Sequence, residues 1–136
     1  MKDLCTSFGL LVLRVSYGCF MLVHGIPKYH SFMAGEYDKF PDPLGLGGKQ
    51  SMMAAVGAEV GCSILLILGL ATRLAALPLT FTMVIAAFVI HGNDEWGTKE
   101  KAALYLAVYA ALVFMGPGKF SIDHLIFGRK KETLPK

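Results

Sequence analysis

Charge is scarce in this sequence. Only 17% of its 136 residues are Asp, Glu, Lys or Arg, where a soluble domain carries about 25%. A surface wetted on all sides is hard to build from so few. Cysteine is scarce too: Cys5, Cys19 and Cys62 form no C-x-x-C and, being odd in number, cannot all pair within one chain. Cys19 and Cys62 sit in apolar stretches, where cysteine is usually an inert small hydrophobe; a disulfide or redox role is the alternative. No glycine-rich nucleotide fingerprint and no flavin motif are present. No metal-ligand set is assigned. Without basic arrays interleaved with aromatics, nucleic acid is excluded as a partner. The first apolar run has no small-x-small cleavage site, is interrupted by Arg14 and is too long for a leader, so it reads as a retained helix.

Apolar residues are abundant: 54% of the chain, with mean hydropathy +0.54. A helix crossing about 30 Å of hydrocarbon needs about 20 mostly apolar residues. Four segments come close, over 5–26, 52–71, 74–91 and 100–116. The expected fold is all-α, an integral membrane four-helix bundle, one domain over 1–136 with a short basic tail at 119–136. Pro27 should end or kink the first helix. Thr72 and Arg73 leave room only for a tight turn, so the second and third helices form a hairpin. Trp96 suits an interfacial anchor. The loop Phe40-Pro41-Asp42-Pro43-Leu44-Gly45-Leu46-Gly47-Gly48 has too much proline and glycine for regular structure. Phe40, Leu44 and Leu46 are nevertheless too apolar for a free linker, so the loop is expected to fold back as a lid over the outer mouth.

Basic residues concentrate on the cytoplasmic side of a membrane. Lys2, Arg73, Lys119, Arg129, Lys130, Lys131 and Lys136 fall on one side, and Lys28, Lys39, Lys49, Lys99 and Lys101 on the other, seven against five. Both termini are therefore expected to be cytoplasmic, in a multi-pass protein of a bacterial inner membrane. Gly57-x-x-x-Gly61 and the Ala103, Ala107 and Ala111 stripe read as surfaces for close helix packing.

The polar residues inside these segments carry the functional argument. A lone charge at mid-bilayer costs at least about 2.5–3.5 kcal/mol. Arg14 lies about 18 Å and Glu59 about 11 Å below the outer ends of their helices at 1.5 Å per residue, so each is the other's expected partner. The pair is read either as a functional centre or as a packing ion pair. His24 and His91 end the two helices that run outward, Lys28 is one turn beyond His24, and Glu100 opens the fourth helix at the same level. Arg14 and Glu59 are thus the candidate catalytic residues, and His24, Lys28, His91 and Glu100 the candidate ligand-binding ring. Each of the four could instead be a solvated helix-end residue.

These residues also carry a resemblance. Arg14, then His24-Gly25-x-Pro27-Lys28, Phe40-Pro41-x-Pro43-Leu44-Gly45, Glu59-x-x-Gly61, Leu68-Gly69-Leu70-x-Thr72-Arg73-x-Ala75-Ala76, His91, Glu100 and Gly116-Pro117-Gly118-Lys119-x-Ser121-x-Asp123 follow in order along nearly the whole chain. The set resembles the DoxX family of small bacterial membrane proteins. The resemblance implies a four-helix membrane bundle. One branch of that family is similar to the membrane subunit of a thiosulfate:quinone oxidoreductase. Others are associated with detoxification of quinone-like compounds, or with membrane complexes containing soluble oxidoreductases. Here Glu100 stands between Lys99 and Lys101, which weakens it as a buried ligand.

Three functions follow. The first is a membrane redox subunit binding a quinone or quinone-like molecule. His24 or His91 would donate to a carbonyl and relay protons near neutral pH. Arg14 would stabilise developing negative charge, and Glu59 would act as orienting base or proton relay. Electrons would come from a bound cofactor or a soluble oxidoreductase partner. The second is a non-catalytic scaffold or small-solute transporter, working as a homo-oligomer. The third, least favoured, is a haem protein with His24 and His91 as axial ligands.

Overall fold

The computed structural model describes residues 2–128; the basic tail beyond 128 lies outside the described residues. Four long helices run through these residues, with no strand among them. We label them α1 (Lys2–Met33), α2 (Gly48–Leu68), α3 (Thr72–Ile90) and α4 (Trp96–Met115), followed by a short π-turn, α5 (His124–Gly128). Helix α2 is interrupted by a π segment at Gly57–Cys62, and α3 ends in one at Ala86–Ile90. The large apolar side chains point outward: Phe114 is 81% exposed, Leu74 71% and Phe88 69%. A water-soluble monomer rarely exposes so much contiguous apolar surface; hydrocarbon solvates it. The inward face is a tight core of Leu66, Ala76, Leu79, Tyr109 and Leu112, with Met21 beside it.

Helices α1, α2 and α3 are each long and apolar enough to cross a membrane. Helix α4 falls short on that criterion. It begins at Trp96, earlier than expected, and its first turns hold Lys99, Glu100 and Lys101, so only 102–115 is free of charge. Trp96 is therefore part of the helix and not an anchor ahead of it.

Two boundaries differ from expectation for physical reasons. Helix α1 continues through Pro27 to Met33. A proline removes one backbone donor and strains the turn before it, at a cost of about 3 kcal/mol. Lys28, in the next residue, is fixed to Glu59 of α2 and holds the extension in place. Helix α2 starts at Gly48 because Asp42 organises its approach. One oxygen of Asp42 accepts from Leu46 N–H and the Ser51 hydroxyl, and the other accepts from Gly47 N–H. The 34–47 segment is thus built around Asp42. Leu44 and Leu46 remain more than half exposed, and the segment does not form the expected lid.

The α2–α3 turn is closed from a distance. Gly69 takes a left-handed conformation at φ 69°. Its N–H donates to Leu66 and that of Leu70 to Leu65, the paired bonds that commonly end a helix. Ala71 also has positive φ, at 48°, a strained position for a residue with a side chain. The Asp123 carboxylate, from the segment after α4, accepts from the N–H groups of Ala71 at 2.7 Å and Thr72 at 2.9 Å. It supplies the cap that α3 lacks locally.

Two predictions follow from these turns. A Cβ on Gly69 would run into the Arg14 guanidinium and Ser121, on a backbone that disfavours side chains, whereas a Cβ on Gly57 meets open space. Gly69→Ala should lower the thermal midpoint in detergent sharply, and Gly57→Ala should leave it unchanged or raise it by the equivalent of about 0.5–1 kcal/mol; equal effects would contradict the turn assignment. For Asp42, the Ser51 hydroxyl and then the Gly47 amide hold the carboxyl below the ordinary aspartate value. A depressed folded value means its contribution is present at neutral pH and lost as pH falls through that value. Amide protection factors at the start of α2, taken against the intrinsic rate at each pH, should therefore fall in acid, and should be low in Asp42→Ala at all pH values.

Candidate functional site

At the end of the bundle where α1 leaves α2, four helices diverge around a cavity of about 280 Å³. Helix α1 contributes Met21, His24 and Lys28, spaced to share one face. Helix α2 contributes Glu59, and α3 contributes Met83 and Ala86, with His91 just beyond its end. Helix α4 contributes Thr98, Lys101, Ala102 and Tyr105, again one face. Glu59 lies inside one π segment and Ala86 opens the other. Such segments are frequent at functional sites because they re-aim side chains.

Glu59 is 2% exposed. Both of its oxygens accept from the Lys28 ammonium, at 2.6 and 2.7 Å. Gly25 permits this approach: a Cβ there would lie 2.9 Å from Val60 and 3.0 Å from the Glu59 Cβ. The His24-Gly25-x-Pro27-Lys28 pattern thus gains a physical meaning. His24 and Lys28 face the cavity, and Gly25 lets α2 bring Glu59 up to them.

His24 packs edge-on against Tyr105, with ring centroids 5.9 Å apart. Tyr105 in turn touches Tyr17 at 5.4 Å and Tyr109 at 5.9 Å. Fully buried Tyr109 donates its hydroxyl to the Tyr17 carbonyl at 3.1 Å, bridging α1 and α4. His91 Nδ1 lies 2.7 Å from an Asp94 oxygen, which orients the ring. Tyr105, Thr98 and Lys101 were missed in the sequence. Their signal was the spacing of Lys101, Tyr105 and Tyr109 along α4, which places all three on one face.

Of the residues singled out from sequence, His24, Lys28, Glu59 and His91 meet at this cavity. Both Glu100 and its neighbour Lys101 are exposed, but only Lys101 lines it. Arg14 is elsewhere, and the expected Arg14–Glu59 ion pair does not form. Arg14 is completely buried at the opposite end. It donates to the carbonyls of Leu66, at 3.3 Å, and Phe120. The Asp123 carboxylate acts on it electrostatically. The pairing failed because both charges found nearer partners: for Glu59 a lysine one turn past His24, and for Arg14 the carbonyls of Leu66 in α2 and Phe120 after α4. No residue of the 34–47 loop lines the cavity.

A larger, open depression of about 520 Å³ lies at the Arg14 end, between Thr72, Arg73, Asp123, His124 and Phe127. Its carboxylate is occupied as the α3 cap. The smaller cavity, with its convergent donors, is the better ligand site.

The DoxX family model matches residues 9–92. The chain belongs to the DoxX family. The match takes in Arg14, His24, Lys28, Glu59 and His91, while α4 with Lys101 and Tyr105 lies beyond it. An uncharacterized protein of Haemophilus influenzae is 33% identical, covering 88% of this chain and 92% of its own. An uncharacterized membrane protein of Mycobacterium tuberculosis is 27% identical, over 89% and 83%. The Bacillus subtilis protein CatD, whose name presents it as a conjectured oxidoreductase, is 30% identical over 92% of each chain. No solved structure matches. This DoxX chain is a membrane protein with three helices able to span a bilayer.

The Lys28–Glu59 pair can be tested directly. Lys28→Met leaves a buried carboxylate unpaired, which is strongly destabilising, and Lys28→Met/Glu59→Gln removes that liability. The double variant should recover most of the lost stability in detergent melts, with a coupling of about 0.5–3 kcal/mol. Simple additivity would mean that the two charges do not interact.

Proposed function

We propose that this DoxX chain is a redox-associated membrane subunit that binds a quinone or quinone-like small molecule in the α1–α4 cavity and takes electrons from a partner oxidoreductase. One observation carries the reading. A cavity at one end of an apolar bundle brings together imidazoles, two ammonium groups, hydroxyls and a buried carboxylate, walled by Met21, Met83 and Ala102. A quinone needs that combination: an apolar slot for the ring, donors at the carbonyl oxygens and a proton source. Its reduction to the quinol takes two electrons and two protons. The sequence has no nucleotide or flavin motif; in this reading the electrons come from a partner, a bound cofactor being the other source. The name of the Bacillus relative, as a conjectured oxidoreductase, points the same way.

The residues have distinct tasks in this reading. His24 and the remaining Lys28 proton hydrogen-bond the carbonyl that gains negative charge, where fixed donors stabilise it most. Glu59, as the orienting base, accepts from the Lys28 ammonium and holds it in place. Tyr105 offers a ring face for stacking. Arg14 has no part in the chemistry; it fixes the far end of the bundle. Helix α4 crosses the membrane with the other three: Tyr109 and Leu112 are buried in the core, and its charged first turns lie level with His91 and Lys28 at the surface. Four crossings put both termini on one side, which the seven-to-five basic bias places in the cytoplasm.

Purified protein should show a near-ultraviolet quinone change in its oxidised-minus-reduced spectrum. Lys28→Met/Glu59→Gln, still folded, should lose it. A flat wild-type spectrum, with no binding of added quinone, would leave a scaffold role instead.

A further inference from the structure

The cavity lining is rich in donors and poor in acceptors. Its one carboxylate, Glu59, has both oxygens on Lys28. One Lys28 proton, the Lys101 ammonium, the Thr98 and Tyr105 hydroxyls and the His24 ring have no further protein partner among the described residues. Two ammonium groups against one carboxylate leave a surplus positive charge, and no ion pair engages Lys101 among the described residues. The nearby acids do not cancel it. Asp94 is engaged by His91, and Glu100, adjacent in sequence, turns away along the helix. Lys99 adds no acceptor either: it donates to the Gly92 carbonyl.

A neutral quinone entering this space would leave Lys101 unmatched. A ring bearing an ionised hydroxyl conjugated to a carbonyl would match it, because its charge is shared over two oxygens and gives the surrounding donors two strong acceptors. About 280 Å³ holds a one- or two-ring head group, and Tyr105 supplies a face for it. We propose that the cavity selects a small acidic quinone in its anionic form over a neutral quinone of the same size. The inference rests on the quinone reading above and narrows its ligand class.

The test uses the full-length protein in lipid nanodiscs, by equilibrium dialysis near neutral pH and at low salt, corrected for partition into empty discs. The probes are 2-hydroxy-1,4-naphthoquinone, which is ionised there, and 2-methyl-1,4-naphthoquinone, which is neutral. The hydroxy compound should bind at least about tenfold more tightly, the size expected for one added charge contact at a partly wet site. Lys101→Gln should abolish the preference and Lys101→Arg should keep it. Equal or weaker binding of the hydroxy compound overturns the selection while leaving the quinone reading in place. A preference that survives Lys101→Gln overturns the assignment to this cavity's surplus charge. Binding of neither compound overturns both proposals.

Discussion

A charge placed among helices that face hydrocarbon costs at least about 2.5–3.5 kcal/mol unless it is matched. This protein meets the requirement twice, in different ways. Glu59 and Lys28 neutralise each other. Arg14 is matched by two backbone carbonyls, with Asp123 acting at longer range. Arg14 and Lys28 are about 21 Å apart along α1 at 1.5 Å per residue, so the solutions sit at opposite ends of the bundle. Much of the remaining architecture follows from them. The Lys28 partnership carries α1 past Pro27. Gly25 thins α1 where Glu59 must approach, and Gly69 leaves room for the Arg14 head.

The two ends do different work because their matches differ in kind. Backbone carbonyls are fixed in place, so Arg14 ties the end of α2 to the segment after α4 without any part that can change charge. Asp123 strengthens that tie by capping α3 and accepting nothing from outside. A carboxylate and an ammonium are both titratable, and their pair borders an open space instead of packed side chains. Interruption of α2 and α3 by π segments at that level widens the helices there and fits a region shaped for a ligand.

The sequence revealed the fold class and the broad site because both depend on one-dimensional patterns. Hydropathy located the helices, and burial costs marked Arg14 and Glu59 as residues needing partners. The convergence of His24, Lys28 and His91 followed from counting residues along helices. The sequence did not reveal who pairs with whom. Arg14 and Glu59 looked complementary in charge and depth, yet the Leu66 and Phe120 carbonyls that Arg14 uses are invisible to a charge count. Helix limits were misplaced where a carboxylate outside the helix decides them: Asp42, a few residues ahead of α2, and Asp123, from the segment after α4, which caps α3. The shift of α4 to Trp96 put Lys101, not Glu100, toward the cavity. One residue on a helix is a turn of about 100° given 3.6 residues per turn, enough to replace an acid by a base.

That exchange changes the chemistry of the mouth more than any other detail. With Glu100 facing inward, the lining would hold two carboxylates beside Lys28, a setting suited to cations and hydrogen-bond donors. With Lys101 inward, the surplus is positive and the unengaged groups are donors, which suits carbonyl and phenolate oxygens. Buried polar atoms without partners make the same distinction between the two ends. Arg14 Nε, Ser63 Oγ and Thr72 Oγ1 are sealed away from solvent and lie outside the α1–α4 cavity. They are costs of packing. The donors that line the cavity are open, and an acceptor placed there would satisfy them.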